Sequence, residues 1–306
     1  MIIEDFSTPI QKIEWRGCDN NIYIKRDDLI GFSFGGNKAR IAAEFIRDMK
    51  EKRCDCLIAY GSRQSNMCRA VANMCGSEGV PCYVVTSLSE GEEPEDTFNS
   101  RMVEAFGAEV RYCKKNNVAG TIADLLNELK SEGFRPYYIF GDIYGRGNES
   151  TAAGAYVKAY AEILEYMKDN VQFDRIFLAS GTGMTQGGLL LGQRKYGGEA
   201  VITGISIARD REAGQASVAR YSGLDEREIE FYDDYRLGGY GIYDAEVEAV
   251  VSDMLKINGI PMDTTYTGKA FCGMLKWLKE YGQDIKNVLF IHTGGTPLFF
   301  DNMLRR

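Results

Sequence analysis

Histidine is almost missing from this sequence: its 306 residues contain one, His292. That excludes a poly-histidine metal site, an H-E-x-x-H protease and any relay between imidazoles. Only His292 could serve a Ser/His/Asp triad, so acid–base chemistry falls to lysine, tyrosine, serine or a bound cofactor. An excess of positive charge is lacking too. With 36 basic against 44 acidic side chains and a net charge of −8, nucleic acid is not an expected partner. No apolar run reaches about 20 residues and no basic-plus-apolar leader follows Met1, so neither a membrane span nor export is expected. The eight cysteines offer no second pair to match Cys54 and Cys56 at zinc spacing. Reduced core thiols in a cytoplasmic protein, with no metal, are the simplest reading.

What is present is an ordinary globular composition, 44% apolar and 26% charged, which excludes collagen-like, disordered and disulfide-scaffold classes. Helical and extended patterns alternate. Strands are predicted at 21–25, 56–60, 82–86, 109–112, 137–140, 175–179, 201–207 and 287–292. Between them, helices are predicted near 38–52, from 66, at 92–106 with a start at Pro94, and near 121–131, 151–168, 186–196, 243–258 and 268–281. Strands spaced by helical stretches of this length predict parallel β/α layers. Residues 87–96 read as a solvated acidic loop, and 208–242 as the least regular segment, which in a compact enzyme is disordered or functional. No linker and no repeat divides the chain.

Four glycine-bearing segments stand where a strand hands over to a helix. Gly35-Gly36-Asn37-Lys38 opens a helix expected from Ala39; glycines there permit close backbone approach, and a lysine in the first turn opposes the helix dipole. Read locally, Lys38 could equally be an ordinary exposed charge. Gly61 to Asn66 follows the strand CLIAY, and Ser65 or Asn66 suits an N-cap, or the turn could face a ligand carboxylate or ring oxygen. Ser180-Gly181-Thr182-Gly183-Met184-Thr185 offers what a phosphate needs: unobstructed N–H donors, a helix start and hydroxyls. Its spacing fits neither a dinucleotide fingerprint nor a Walker loop, so a single-phosphate cup or a plain strand–helix turn remains. His292-Thr293-Gly294-Gly295 is weak alone, with His292 best read as a hydrogen-bonded residue at the edge of the core.

Taken in order, IYIKRDDL at 22–29, GGNKAR at 35–40, RQSNMCRAVA at 63–72, ASGTGMTQGGL at 179–189, GGYG at 238–241, YTGKA at 266–270 and HTGG at 292–295 resemble one family. It is the pyridoxal-phosphate-dependent 1-aminocyclopropane-1-carboxylate deaminase and D-cysteine desulfhydrase family, of the tryptophan synthase β-like fold (fold type II). The resemblance runs over nearly the whole chain and lies closer to the desulfhydrase side. It implies an α/β protein of two domains with parallel-rich sheets flanked by helices. A large cofactor-binding domain would comprise 1–44 and 155–306, and a small inserted domain 45–154. The implied cofactor is pyridoxal 5'-phosphate, the implied partner a small amino-acid substrate, and the implied assembly a homodimer.

Residue by residue, the resemblance makes Lys38 the lysine that carries the cofactor covalently. Asn66 would bond the ring hydroxyl, while Gln64 and Ser65 face the substrate. Gly181, Thr182, Gly183, Met184 and Thr185 would hold the phosphate. Tyr240 and Tyr266 would stand near the reacting substrate, with Thr293 at the edge of the cofactor. Thr267 would sit at the pyridine nitrogen, where the deaminases carry glutamate; as a hydroxyl donating to a neutral nitrogen it favours expulsion of a good β-leaving group over ring opening. Met67-Cys68, residues 141–157 and the stretch after HTGG depart from the family pattern. The expected activity is α,β-elimination on D-cysteine to pyruvate, ammonia and sulfide. Alternatives are another β-substituted alanine such as cysteate, ring opening of the cyclopropane amino acid, a non-catalytic binding protein and a nicotinamide-dependent dehydrogenase.

Overall fold

A computed structural model describes residues 6–88 and 96–304. Among these are ten strands and ten α-helices. They run β1 (Ile10–Ile13), β2 (Asn21–Arg26), α1 (Asn37–Glu51), β3 (Cys56–Tyr60), α2 (Asn66–Glu78), β4 (Cys82–Leu88), α3 (Phe98–Ala105), β5 (Glu109–Lys114), α4 (Val118–Ser131) and β6 (Pro136–Tyr138). Then come α5 (Glu149–Asp169), β7 (Arg175–Ser180), α6 (Met184–Tyr196), β8 (Val201–Ser206), α7 (Arg211–Ser222), β9 (Phe231–Tyr232), α8 (Ala245–Asn258), α9 (Thr267–Tyr281), β10 (Asn287–His292) and α10 (Thr296–Leu304).

The chain divides into two compact units, Lys38–Ala152 and Phe6–Asn37 with residues 153–304. Both dividing points fall inside helices, at the start of α1 and in the first turn of α5. The unit Lys38–Ala152 holds a four-stranded parallel sheet in the order β5-β4-β3-β6. Most of α1 belongs here: Tyr137 donates to Asp48 at 2.5 Å, and Lys52 bonds Asp48 and Asn148. The other unit holds six strands in the order β1-β2-β10-β7-β8-β9, parallel except for β1. Its central strands are buried almost end to end, as parallel strands covered on both faces must be. Ile24, Phe177, Val288 and Phe290 pack with Phe271 and Trp277 of α9 in one apolar cluster.

Sheet order locates the ligand-binding edge of each unit. Ligands bind beyond the carboxyl ends of parallel strands, where strand order reverses direction. In the six-stranded sheet the reversal lies between β7 and β10, followed by the turns at Ser180 and Thr293. In the four-stranded sheet it lies between β3 and β6, and β3 runs into Gly61.

Several elements differ from the sequence reading. α1 starts at Asn37 rather than Ala39. The predicted start of α3 at Pro94 lies outside the described residues; Asp96 and Thr97 are not helical, and Thr97 caps a helix beginning at Phe98. Within 208–242, taken as irregular, Asp210 caps α7, which packs through Gly214, Val218 and Ser222. A Cβ at Gly214 would lie 2.2 Å from the Phe231 ring; a helix buried by small residues leaves no apolar period to read. β1, β9 and α10 were not anticipated. All eight cysteines are free, five of them buried, and burial pushes the Cys56 thiol up to about 12. Among the described residues no helix is long and apolar enough to cross a membrane, and no group of His, Cys, Asp and Glu is placed to hold a metal.

α6 shows packing overruling propensity. Glycine costs a helix about 1 kcal/mol relative to alanine, yet α6 carries three. A Cβ at Gly188 would stand 2.4 Å from the Ala153 carbonyl, and at Gly192 2.6 Å from the Tyr160 Cβ. α5 therefore packs directly against the α6 backbone. Gly188→Ala should lower unfolding stability by about 1–3 kcal/mol through overpacking, read as a lower urea midpoint; a rise, as propensity alone would give, contradicts this packing.

Candidate functional site

The approach to Lys38 is a left-handed turn. Ser33, Phe34, Gly35 and Gly36 have φ of 51°, 58°, 72° and 94°. This region is strained for residues with a side chain. A Cβ on Gly35 would lie 2.2 Å from the Asp28 carbonyl oxygen, and one on Gly36 2.8 Å from that of Thr293. The turn is anchored from below: Gly36 N–H donates to the Asp27 carbonyl at 2.7 Å. Asp27 itself is buried, accepts from Thr8 and Tyr156, and lies 3.9 Å from the buried Lys25 ammonium.

Asn37 then joins the glycine turns of its unit. Its N–H donates to the Thr293 carbonyl at 3.0 Å, and its side-chain amide to Thr185 Oγ1 at 2.9 Å. A Cβ on Gly294 would come within 2.5 Å of Gly36 Cα, so the two backbones meet as only glycines allow. Lys38 is the next residue in the chain. Burial pulls its amine down to about 8, with no charged partner contributing.

The segment Gly181 to Thr185 forms an open helix start. Gly183, with φ 86°, precedes α6 and gives it no side-chain cap. The first N–H groups of α6 thus receive no side-chain cap, beside the exposed Thr182. Thr185 accepts from Asn37 and keeps its own proton to donate. That arrangement suits an anion.

Tyr266 donates to Tyr240 between hydroxyls 3.0 Å apart, and their rings meet edge to face at 5.8 Å. Burial, then the neighbouring Tyr240, push the Tyr266 phenol well above its ordinary range, so it holds its proton. The loop carrying Tyr240 is held by a residue the sequence reading passed over. Lys269, buried in α9, donates to the carbonyls of Ile207, Arg236 and Gly239 at 3.2, 3.1 and 2.7 Å. Thr267 is buried, and its hydroxyl donates to Asp263 at 2.9 Å. The expectation that this proton serves a neutral ring nitrogen is corrected by that bond, since a hydroxyl has only one proton. His292 is a structural support: Pro261 O can only accept, so Nε2 carries the hydrogen at 2.9 Å, while Nδ1 accepts from Gly294 N–H.

In the unit Lys38–Ala152, Ser65 caps α2, its Oγ accepting from Cys68 N–H at 3.2 Å. Asn66 Oδ1 accepts from Asn99 at 3.0 Å and Arg69 at 3.3 Å. Its own NH₂ is thereby turned outward as a donor, as a ring oxygen requires. Asn99, fully buried, also bonds the Gln64 carbonyl at 2.8 Å. Its signal in the sequence, a lone asparagine early in a helix, is too common to have marked it. The departures Met67 and Cys68 turn into the core, and burial lifts the Cys68 thiol to about 12. Residues 141–147 close on themselves through a Gly141–Gly147 bridge and Asp142, which accepts from Tyr144 and Arg146.

Known proteins resemble this chain in sequence and in fold. The family described as "Pyridoxal-phosphate dependent enzyme" matches residues 4–294. D-cysteine desulfhydrase of Yersinia enterocolitica is 30% identical over 96% of this chain and 93% of its own length. That of Serratia proteamaculans is 31% identical over the same shares. A crystal structure of an ACC deaminase homologue superposes with a TM-score of 0.84 at 30% identity, covering 100% of this chain and 95% of the other. A hydrogen sulfide-producing enzyme from Fusobacterium nucleatum shares the fold at a TM-score of 0.67 and 18% identity, covering 95% and 96%.

Pyridoxal 5'-phosphate is the cofactor of this fold, and the residues present fit it. In one unit the uncapped start of α6 with Thr185 suits a phosphate; in the other, taken by itself, the amide of Asn66 suits a ring oxygen and the depressed amine of Lys38 an aldehyde. Such an amine is about half free base at pH 8, against roughly 1 in 300 for an ordinary lysine. Acetylation of the cofactor-free protein, mapped by mass spectrometry, should therefore reach its half-maximal rate at Lys38 near pH 8, while exposed lysines reach theirs only at about pH 10.4. A Lys38 curve coinciding with theirs contradicts the assignment.

Proposed function

The chain belongs to the family of pyridoxal-phosphate-dependent enzymes, and on that premise we propose that it is a lyase converting D-cysteine and water to pyruvate, ammonia and hydrogen sulfide. The observation carrying this reading is the Tyr240–Tyr266 hydroxyl pair, a protonated phenol with a hydrogen-bonded neighbour. Such a hydroxyl pair can hand a proton to the thiolate as it leaves the β-carbon. Full-length likeness to D-cysteine desulfhydrases supports the same choice.

When bound, the cofactor supplies a carbonyl that joins the substrate amine and a sink for the electrons of the α-carbon. The protein's residues do the rest. Lys38 Nζ, with a free-base fraction set by burial, takes the α-proton. Tyr240 Oη, which accepts from Tyr266, gives a proton to the departing sulfur and is resupplied by Tyr266. Gln64 and Ser65 orient the substrate, while Asn66 and Gly181 to Thr185 hold the cofactor in place.

Thr267 no longer argues against ring opening, because its proton is committed to Asp263. One panel separates the readings: 2-oxo acid, ammonia and sulfide measured on D-cysteine, L-cysteine, cysteate and 1-aminocyclopropane-1-carboxylate. We expect pyruvate and sulfide in equal amounts from D-cysteine, with Lys38→Ala and Tyr266→Phe each lowering kcat by roughly 10²–10⁴-fold. Faster turnover of another member of the panel would replace D-cysteine as substrate, and no turnover of any would leave a binding protein.

A further inference from the structure

Asp263 is a fully buried carboxylate on the segment leading into α9. Its Oδ1 accepts from the N–H groups of Thr265 at 2.9 Å and Tyr266 at 2.6 Å. Its Oδ2 accepts from the N–H of Thr267 at 3.2 Å and the Thr267 hydroxyl at 2.9 Å. Burial raises the pKa of this carboxyl, and the hydrogen bonds oppose that rise; four donors on two oxygens suit the ionised form, since a proton on either oxygen would face one of them. The start of α9 adds the positive end of a helix dipole.

The hydroxyl of Thr267 can be accounted for completely. It has one hydrogen and two lone pairs. The hydrogen goes to Asp263 Oδ2, and one lone pair takes the Asp263 N–H at 3.1 Å. One acceptor site is left, and donating to a buried anion makes that oxygen a stronger acceptor.

We propose that Asp263, acting through Thr267, presents an anion-backed acceptor to the pyridine nitrogen of the cofactor and so holds that nitrogen protonated. Asp263 is a positioning residue: it fixes the hydroxyl's hydrogen and lends its charge through one oxygen. Thr267 with Asp263 thus does the work that a glutamate would do directly, and the ring is a deep electron sink. The proposal rests on the reading that Thr267 faces the ring nitrogen, but not on D-cysteine being the substrate.

The test is ¹⁵N NMR of the holoenzyme loaded with cofactor labelled at the ring nitrogen, without substrate, referenced to the free cofactor at both ends of its own titration. The wild type and Thr267→Ser should show the protonated shift, and Thr267→Val and Asp263→Asn the neutral one. A neutral shift in the wild type overturns the proposal. So does a protonated shift that Thr267→Val leaves in place, which would mean the threonine does not face the ring. Movement in Thr267→Val but not in Asp263→Asn removes the carboxylate from the account. Should Asp263→Asn fail to fold by near-ultraviolet circular dichroism, the wild type and the two Thr267 variants still decide. Failure of D-cysteine turnover would leave this reading of the ring nitrogen untouched.

Discussion

Asn37 gives its backbone N–H to the carbonyl of Thr293 and its side-chain amide to the hydroxyl of Thr185. The residue before Lys38 is therefore tied at once to the turns that follow β10 and β7, the two strands flanking the reversal of strand order. The side-chain bond is buried, so breaking it would strand polar groups at a cost of about 1–3 kcal/mol. The lysine does not hang from a flexible loop. Its backbone continues from a point fixed by two strand ends, and those strands are held by the apolar cluster around Phe177, Phe290 and Trp277.

Much of this was legible in the sequence. Where a strand is buried on both faces, as in β7 and β10, the apolar run announces it and the glycine turn marks its end. The four glycine segments were legible for the same reason: glycine is required where backbones touch, as at Gly36 and Gly294. α7 was hidden because it buries glycine and serine rather than a stripe of leucines. Asn99, Asp263 and Lys269 were hidden because their work depends on partners brought close only by folding. Lys269 meets Arg236 and Gly239 more than 29 residues away in sequence, and Asn99 meets Asn66 across 33.

The buried polar groups share a logic. Asp27, Asp263, Asn99 and Lys269 each bond backbone, hydroxyl or amide groups, and each fixes the orientation of a neighbour. Asn66 shows the effect: with its oxygen held by Asn99 and Arg69, only its donors remain outward. Thr267 shows the converse, since Asp263 claims its proton and leaves only acceptor capacity. A side chain's identity in the sequence gives its possible roles; the partner at its back selects one.

The left-handed turn from Ser33 to Gly36 has a consequence for how this segment can change over evolutionary time. Because Gly36 is bonded back to Asp27 and Asn37 to Thr293 and Thr185, the arc from Asp27 to Gly36 has both ends fixed. One added residue lengthens a chain by up to about 3.3–3.6 Å, more than a hydrogen bond can stretch. The segment is a ruler as well as a hinge of glycines, so insertions and deletions should be as rare here as substitutions of the glycines themselves. Diversification of this scaffold is then channelled into segments without fixed ends at the cofactor, such as the self-closed loop of residues 141–147.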